Sequence, residues 1–297
     1  MAPLGFRDRL RERPPLIADG ATGTTLQSRG LALGRCAEAW VLQSPEKILE
    51  LHRDFIDAGA DLVLTCSFGA TPLRLRTTGL ADRAREINRR AAELARQAVA
   101  ERDVYVAGSM GPTGEMLKPY GDLDEADAVA AYSAQASALA EGGVDLLVLE
   151  THFDLAEAAA AVKGAREATD LPIVCSFSYD RGTRTMMGVS PAQAGRQLDG
   201  LGVDAIGINC GRSLDESLRD LAELRQSTDR PLWFKPNAGM PTLDAQGRPV
   251  YAISPQEMAK ALTKALESDA RILGGCCGTS PAHLRQIALE VRRATAR

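Results

Sequence analysis

Eight short runs dense in branched aliphatic residues recur along the chain, at 16–19, 61–65, 104–108, 145–150, 172–176, 205–210, 231–236 and 271–275. Runs this apolar suit strands buried on both faces. The segments between them carry helical periodicity: Ile48, Leu49, His52, Phe55 and Ile56 share one stripe, as do Leu214, Leu218, Leu221 and Leu224. Ser44-Pro45, Ser190-Pro191, Ser254-Pro255 and Ser280-Pro281 each set a capping hydroxyl before a proline at the first helical position. Ser213 with Glu216 and Ser254 with Glu257 add capping-box spacing. Strand then helix, eight times with right-handed crossovers, predicts a single (β/α)8 TIM barrel; an open doubly wound sheet is the other arrangement that such a count allows. The stretch from Ala21 to about Ser44 reads as loop over one mouth of the barrel. With no linker or low-complexity segment, residues 1–297 are expected to form one domain, its core about 15–291.

Barrel enzymes build their sites at the carboxyl-terminal ends of the strands, and seven of the eight runs end there in a polar or glycine-rich motif. These are DGATGTT, TCSFGAT, GSMGPTG, ETHFD, NCGRS, KPNAGMP and GGCCGTSP. Cys210 ends the sixth run and Cys276-Cys277 the eighth. Three thiolates around one ion would leave a fourth position open, as in a catalytic zinc site; equally, all three are small residues that cores often bury. The 66 residues between Cys210 and Cys276 match no finger-type spacing. Asp19 and Glu150 end the first and fourth runs, where two carboxylates suit a substrate ammonium, and the amides of Gly20, Ala21 and Thr22 suit a carboxylate; a helix cap or a buried ion pair is the plainer reading of the acids. Asn237 of KPNAGMP joins these as a substrate contact. Lys235 suits a Schiff base or a substrate carboxylate. His52 reads as packing, His283 lies in the first turn of the last helix, and His152 follows Glu150 toward the site. Cys36, Cys66 and Cys175 read as structural, with Cys66 the nearest to the pocket.

Composition narrows the function. The chain is 45% hydrophobic but only 4% aromatic, which gives an aliphatic globular core. A net charge of −4 without a basic run argues against a nucleic-acid partner, and no stretch approaches the ~20 apolar residues of a membrane span. The charged, proline-bearing start and six cysteines without disulfide-scaffold spacing suit a reducing, cytoplasmic setting.

DGATGT, the GPTG turn, ETHFD, GINC, PNAG and above all GGCCGT, in that order from about Pro15 to Val291, resemble the homocysteine S-methyltransferase family. The resemblance implies one zinc ion on Cys210, Cys276 and Cys277, with homocysteine sulfur as the fourth ligand. It also places the amino group near Asp19 and Glu150, and the carboxylate on the loop after the first strand. A free thiol with a pKa of about 8.5 is mostly protonated at neutral pH, and zinc converts it to the thiolate that attacks an activated methyl group. Residues 111–122 are most similar to the N-terminal homocysteine module of cobalamin-dependent methionine synthase. That implies methylcobalamin carried by a separate corrinoid protein, since no counterpart of the folate, cobalamin and reactivation modules is expected here. A free donor such as S-methylmethionine or S-adenosylmethionine is the alternative, and a non-catalytic zinc-binding or corrinoid-docking subunit is a reading of another class. The betaine-using branch has a zinc-binding tyrosine where Gly69 stands here, so betaine is not the expected donor.

Overall fold

All eight aliphatic runs become strands in the computed structural model of the chain, which describes residues 4–12, 14–245 and 247–296. They are β1 (Leu16–Ile17), β2 (Leu62–Leu64), β3 (Tyr105–Met110), β4 (Leu146–His152), β5 (Ile173–Phe177), β6 (Ala205–Cys210), β7 (Leu232–Pro236) and, after a small antiparallel hairpin of β8 (Thr242–Leu243) and β9 (Pro249–Val250), β10 (Ala270–Leu273). Seven parallel pairings give the order β1-β10-β7-β6-β5-β4-β3-β2. The outermost members then meet: Ala18 bridges Leu62, the Asp19 N–H donates to Leu62 O at 2.9 Å, and the Asp61 N–H to Ile17 O at 2.7 Å. The sheet is therefore closed into the (β/α)8 barrel, and the open-sheet alternative falls.

Twelve α-helices accompany the strands among the described residues. They are α1 (Phe6–Arg9), α2 (Thr22–Ser28), α3 (Trp40–Gln43), α4 (Pro45–Asp57), α5 (Pro72–Leu75), α6 (Ala84–Val99), α7 (Glu125–Glu141), α8 (Leu155–Ala168), α9 (Pro191–Gly200), α10 (Leu214–Arg225), α11 (Pro255–Lys264) and α12 (Pro281–Thr295). Alternate strand residues face opposite sides, and the two sides form two cores. Leu16, Ala18, Leu62, Leu64, Tyr105, Leu146, Val148, Val174, Ala205, Trp233 and Ile272 fill the barrel interior, closed below by Phe6 and Leu10 of the α1 segment. Ile17, Val63, Val106, Leu147, Ile173, Ile206, Phe234 and Leu273 face outward onto the helices. Each such fully buried side chain stabilises by about 1.5–3 kcal/mol.

The Ser-Pro starts behave unequally. Ser190, Ser254 and Ser280 form full capping boxes with Gln193, Glu257 and His283, and Ser213 accepts from the Glu216 N–H. Ser44 does not cap, because its backbone sits at φ −148°, ψ 56° and its hydroxyl makes no cap bond. The expected loop from Ala21 to Ser44 is a correction: it contains α2, a 3-10 turn at Ala37–Ala39 and α3, pinned by the buried Leu26, Leu31 and Val41.

Helices α7 and α8 approach closely at Gly164, where an added Cβ would lie 2.4 Å from Val129 O. Alanine would gain about 1 kcal/mol in helix propensity, but the obstacle is backbone and cannot yield as a side-chain end would. Gly164→Ala is therefore expected to destabilise by about 1–3 kcal/mol, read as a lowered urea midpoint. An unchanged or raised midpoint would contradict this packing.

Candidate active site

At their carboxyl-terminal ends the strands open on a cavity of about 490 Å³. Its floor comes from strand ends: Glu150 and Thr151 of β4, Cys210 of β6, Lys235 of β7, and Gly275, Cys276 and Cys277 after β10. Its outer wall comes from the 20–38 segment, through Thr22, Gln27, Leu33 and Glu38, from Phe68, and from the hairpin end at Pro249 and Tyr251.

The three cysteines meet there. Their Sγ atoms all lie within 4.8 Å of one another, with Cys210 and Cys276 3.1 Å apart. Strained and stapled backbone presents them. Cys210 on β6 has φ +59° and Thr151 on β4, two strands away, +66°, a region costly for residues with a Cβ and rarer still for a β-branched one. Asn209, fully buried, holds both: its Oδ1 accepts the Thr151 N–H at 2.8 Å and the Ser176 hydroxyl at 2.6 Å, and its Nδ2 donates to Thr151 Oγ1 at 2.7 Å and Cys210 Sγ at 3.4 Å. After β10, the Cys276 N–H donates to Pro236 O, the Ala238 N–H to Cys277 O, the Gly275 N–H to Asp19 O and the Gly278 N–H to Thr24 Oγ1. Gly275 leaves no room for a side chain, since a Cβ would lie 2.2 Å from Thr279 Oγ1, and Gly278 combines φ +82° with the Tyr251 ring 2.2 Å from where its Cβ would be.

The donor set fits a soft cation. Hydrogen bonds from Cys210 and Cys276, joined by the Tyr251 phenol, pull Cys277 down to about 3, whereas Cys210 is pushed up by the bond to Cys276 and by burial. Proton sharing among the three sulfurs thus favours the thiolate at Cys277. A divalent ion seated there would displace the remaining protons and take all three as thiolates, leaving one tetrahedral position for a further ligand.

The acids behave differently from each other. Asp19 is 1% exposed and lies behind the cavity wall. Its Oδ1 accepts from Lys235 Nζ at 2.5 Å and its Oδ2 from the Leu64 N–H at 2.8 Å, so the buried-ion-pair reading of Asp19 is the one the structure realises. Burial opposes the Lys235 ammonium, but the charges of Asp19 and Glu150 outweigh it and hold Lys235 protonated. Glu150 lies on the cavity floor and accepts the Ser109 hydroxyl at 2.5 Å; burial raises its carboxyl to about 7, against the pull of Lys235. Gly20, Ala21 and Thr22 line the cavity beside them, although the Ala21 N–H already donates to Thr279 O at 3.0 Å. Asn237 is not part of the wall; its Nδ2 donates to Gly211 O at 2.8 Å, tying β7 to the turn after Cys210.

His152 is a further correction: it is fully buried between Tyr132 and Phe177, outside the cavity. His52 is buried on α4 as expected, and His283 caps α12 while its Nε2 meets Ile253 O. Cys66 does line the cavity, whereas Cys175 sits in the core. Asn209, Ser109, Glu38 and Tyr251 were not singled out by sequence reasoning. The first two lie within quoted motifs, NCGRS and GSMGPTG, but nothing in the spacing gave Tyr251 or Glu38, which accepts the Gly69 N–H at 2.6 Å.

Fold and cavity together define a (β/α)8 barrel protein with a three-thiol site at the carboxyl-terminal mouth. The chain belongs to the homocysteine S-methyltransferase family, whose model matches residues 16–291. The methionine synthases of Mycobacterium tuberculosis (strain ATCC 25618 / H37Rv) and Mycobacterium leprae (strain TN) are each 34% identical to it, over 93% and 94% of this chain. The match takes in 24% of either relative, so the chain spans about a quarter of their length. Among solved structures, the metallated form of the homocysteine methyltransferase MmuM from Escherichia coli superposes with a TM-score of 0.81 at 27% identity, covering 96% of this chain and 99% of that one.

Glu150 gives the metal-free protein a pH dependence. With its pKa raised from 4.5 to about 7 on folding, the folded state holds more protons than the unfolded state between those values. Stability from this group is therefore full below about pH 4.5 and is lost as pH rises to about 7, by on the order of 3 kcal/mol. Denaturation of Glu150→Gln is expected to be flatter over that window; an identical pH profile would count against the assigned burial.

Proposed function

We propose that this chain methylates the sulfur of homocysteine, giving methionine, as one acceptor-binding barrel domain. The three sulfurs converging at the base of a cavity large enough for an amino acid carry the reading, and family membership supports it. Cys210, Cys276 and Cys277 would hold a zinc ion, which when bound supplies a Lewis acid that keeps an acceptor thiol deprotonated at neutral pH. Homocysteine would lie with its sulfur toward the cysteines, its ammonium at the carboxylate end formed by Glu150 backed by Asp19, and its carboxylate along Gly20, Ala21 and Thr22. Asn237 acts from outside the wall, through the turn that presents Cys210. Asn209 donates to the Cys210 sulfur and pins the Thr151 backbone, so the site need not reorganise when the acceptor enters. Tyr251 and Phe68 on the outer wall keep water from the attacking sulfur.

For the methyl donor, the similarity of residues 111–122 to the homocysteine module of cobalamin-dependent methionine synthase favours methylcobalamin presented by a corrinoid protein. A free donor such as S-methylmethionine or S-adenosylmethionine has its own support in the Escherichia coli homocysteine methyltransferase, a chain matched over 99% of its length. Six free thiols suit a cytoplasmic setting, and among the described residues no helix is long and apolar enough to cross a membrane.

Methionine formation from homocysteine, assayed with each donor in turn, tests the reading; no product with any of them would refute it. Cys276→Ala is expected to abolish both metal binding and turnover while circular dichroism stays barrel-like, and retained activity would contradict the role of the cysteines. X-ray absorption of the zinc-loaded protein is expected to count three sulfurs alone and four with homocysteine. An unchanged count would favour a structural metal and a non-catalytic subunit.

A further inference from the structure

Of the GSMGPTG motif only Ser109 lines the cavity, and the turn at residues 111–114 has no part in the reading above. A buried carboxylate holds that turn. Glu157, in the first turn of α8, is 2% exposed, and its Oε1 accepts the Thr113 N–H at 2.8 Å, the Thr113 hydroxyl at 2.7 Å and the Tyr132 phenol at 3.0 Å. A glutamate at the third helical position commonly turns back to its own N-cap. Here Asp154 caps α8 through the Ala156 N–H, and Glu157 reaches across to the turn after β3 instead. Burying a carboxylate is costly unless donors satisfy it, and these three do so from the turn and from α7. Gly111, at the head of the turn, is the seat of Phe68: its N–H donates to Phe68 O at 2.8 Å, and an added Cβ would collide with the Phe68 ring. Arg74 clasps the two together, donating to Pro112 O at 3.0 Å with its guanidinium 5.2 Å from the centre of the same ring. Phe68 itself is half-buried and lines the cavity.

We propose that Glu157 is a positioning residue for the cavity wall: by fixing the turn at residues 111–114 from outside the cavity, it holds the Phe68 ring in the outer wall and keeps water and external electrophiles from the three thiols. The line of contact runs from Glu157 to Thr113, along the turn to Gly111, and from Gly111 to the ring. The unit of β4 and α8 then has two tasks, since the end of β4 supplies Glu150 and Thr151 to the floor while α8 secures the wall. The inference goes beyond the proposed function, because it concerns how the wall is held whichever thiol or methyl donor the site takes.

The test is pulse alkylation of the metal-free protein with iodoacetamide, each cysteine being read by peptide mass spectrometry. Cys210, Cys276 and Cys277 line the cavity, whereas Cys175, fully buried in the core, reports global opening. Glu157→Leu is expected to raise labelling of the cavity thiols relative to Cys175 by about fivefold or more, as in a local opening that has lost its closing hydrogen bonds. Phe68→Ala is expected to do the same, and the double variant to stay within about twofold of Phe68→Ala, because both changes act through one contact. Glu157→Gln, whose amide oxygen still accepts the three donors, should label within about twofold of the wild type. Gly164→Ala, also on α8, controls for general loosening of that helix and should leave the ratio unchanged. The proposal is overturned if Glu157→Leu leaves the ratio unchanged, if its effect multiplies with that of Phe68→Ala, if Glu157→Gln labels as Glu157→Leu does, or if Gly164→Ala raises the ratio as much. Where Glu157→Leu does not fold, Thr113→Val, which removes one donor and keeps the carboxylate, is expected to give a smaller rise in the same ratio; no rise overturns the proposal equally.

Discussion

The barrel closes where its two shortest flanks meet. β1 has two residues and β2 three, and their join rests on the Ala18–Leu62 bridge, two backbone hydrogen bonds and the Asp19 carboxylate reaching the Leu64 N–H. The same carboxylate pairs with Lys235 of β7, two strands away, and the Asp19 carbonyl takes the Gly275 N–H just before the cysteine pair. One residue thereby links closure, the charge on the cavity floor and the placement of Cys276. An unpaired charge at such depth is costly, so the pairing with Lys235 is part of what makes this join tolerable.

Around that join the site is held under tension by its neighbours. Left-handed backbone at Cys210 and Thr151 opposes folding by about 1–2 kcal/mol each, and the Asn209 side chain offsets it with hydrogen bonds to both residues. Strand ends are suited to this because the rest of each strand is fixed by ladders on both sides. The strain sits on the rigid floor of the cavity rather than on its outer loops.

Much of this was legible in the sequence, for identifiable reasons. The strands were, because both faces are buried and the runs are therefore continuously apolar; β3 and β4 each extend two residues past their runs, to Met110 and His152. The cysteine trio was legible because it falls at strand ends. The 21–44 segment was misread because its helices have four and seven residues and lack side-chain caps, leaving no stripe or start signal. The fate of Asp19 was undecidable from its neighbours, since its partner is 216 residues away and ion pairs between distant strand ends leave no periodicity. His152 was misplaced because the residue after Glu150 takes positive φ, which turns the next side chain into the core.

The cavity has two parts of different origin: a floor of strand ends, and an outer wall of the 20–38 segment and the β8–β9 hairpin end. The hairpin contributes nothing to barrel closure and carries the exposed Leu243 and Val250. Exchanges at Leu243 or Val250 would leave the strand ladders in place, whereas Tyr251 at the hairpin end is tied to Cys277. The architecture is modular in an evolutionary sense: descendants of one ancestral barrel can keep a fixed inner chemistry while diverging at the rim, where whatever enters from outside is met.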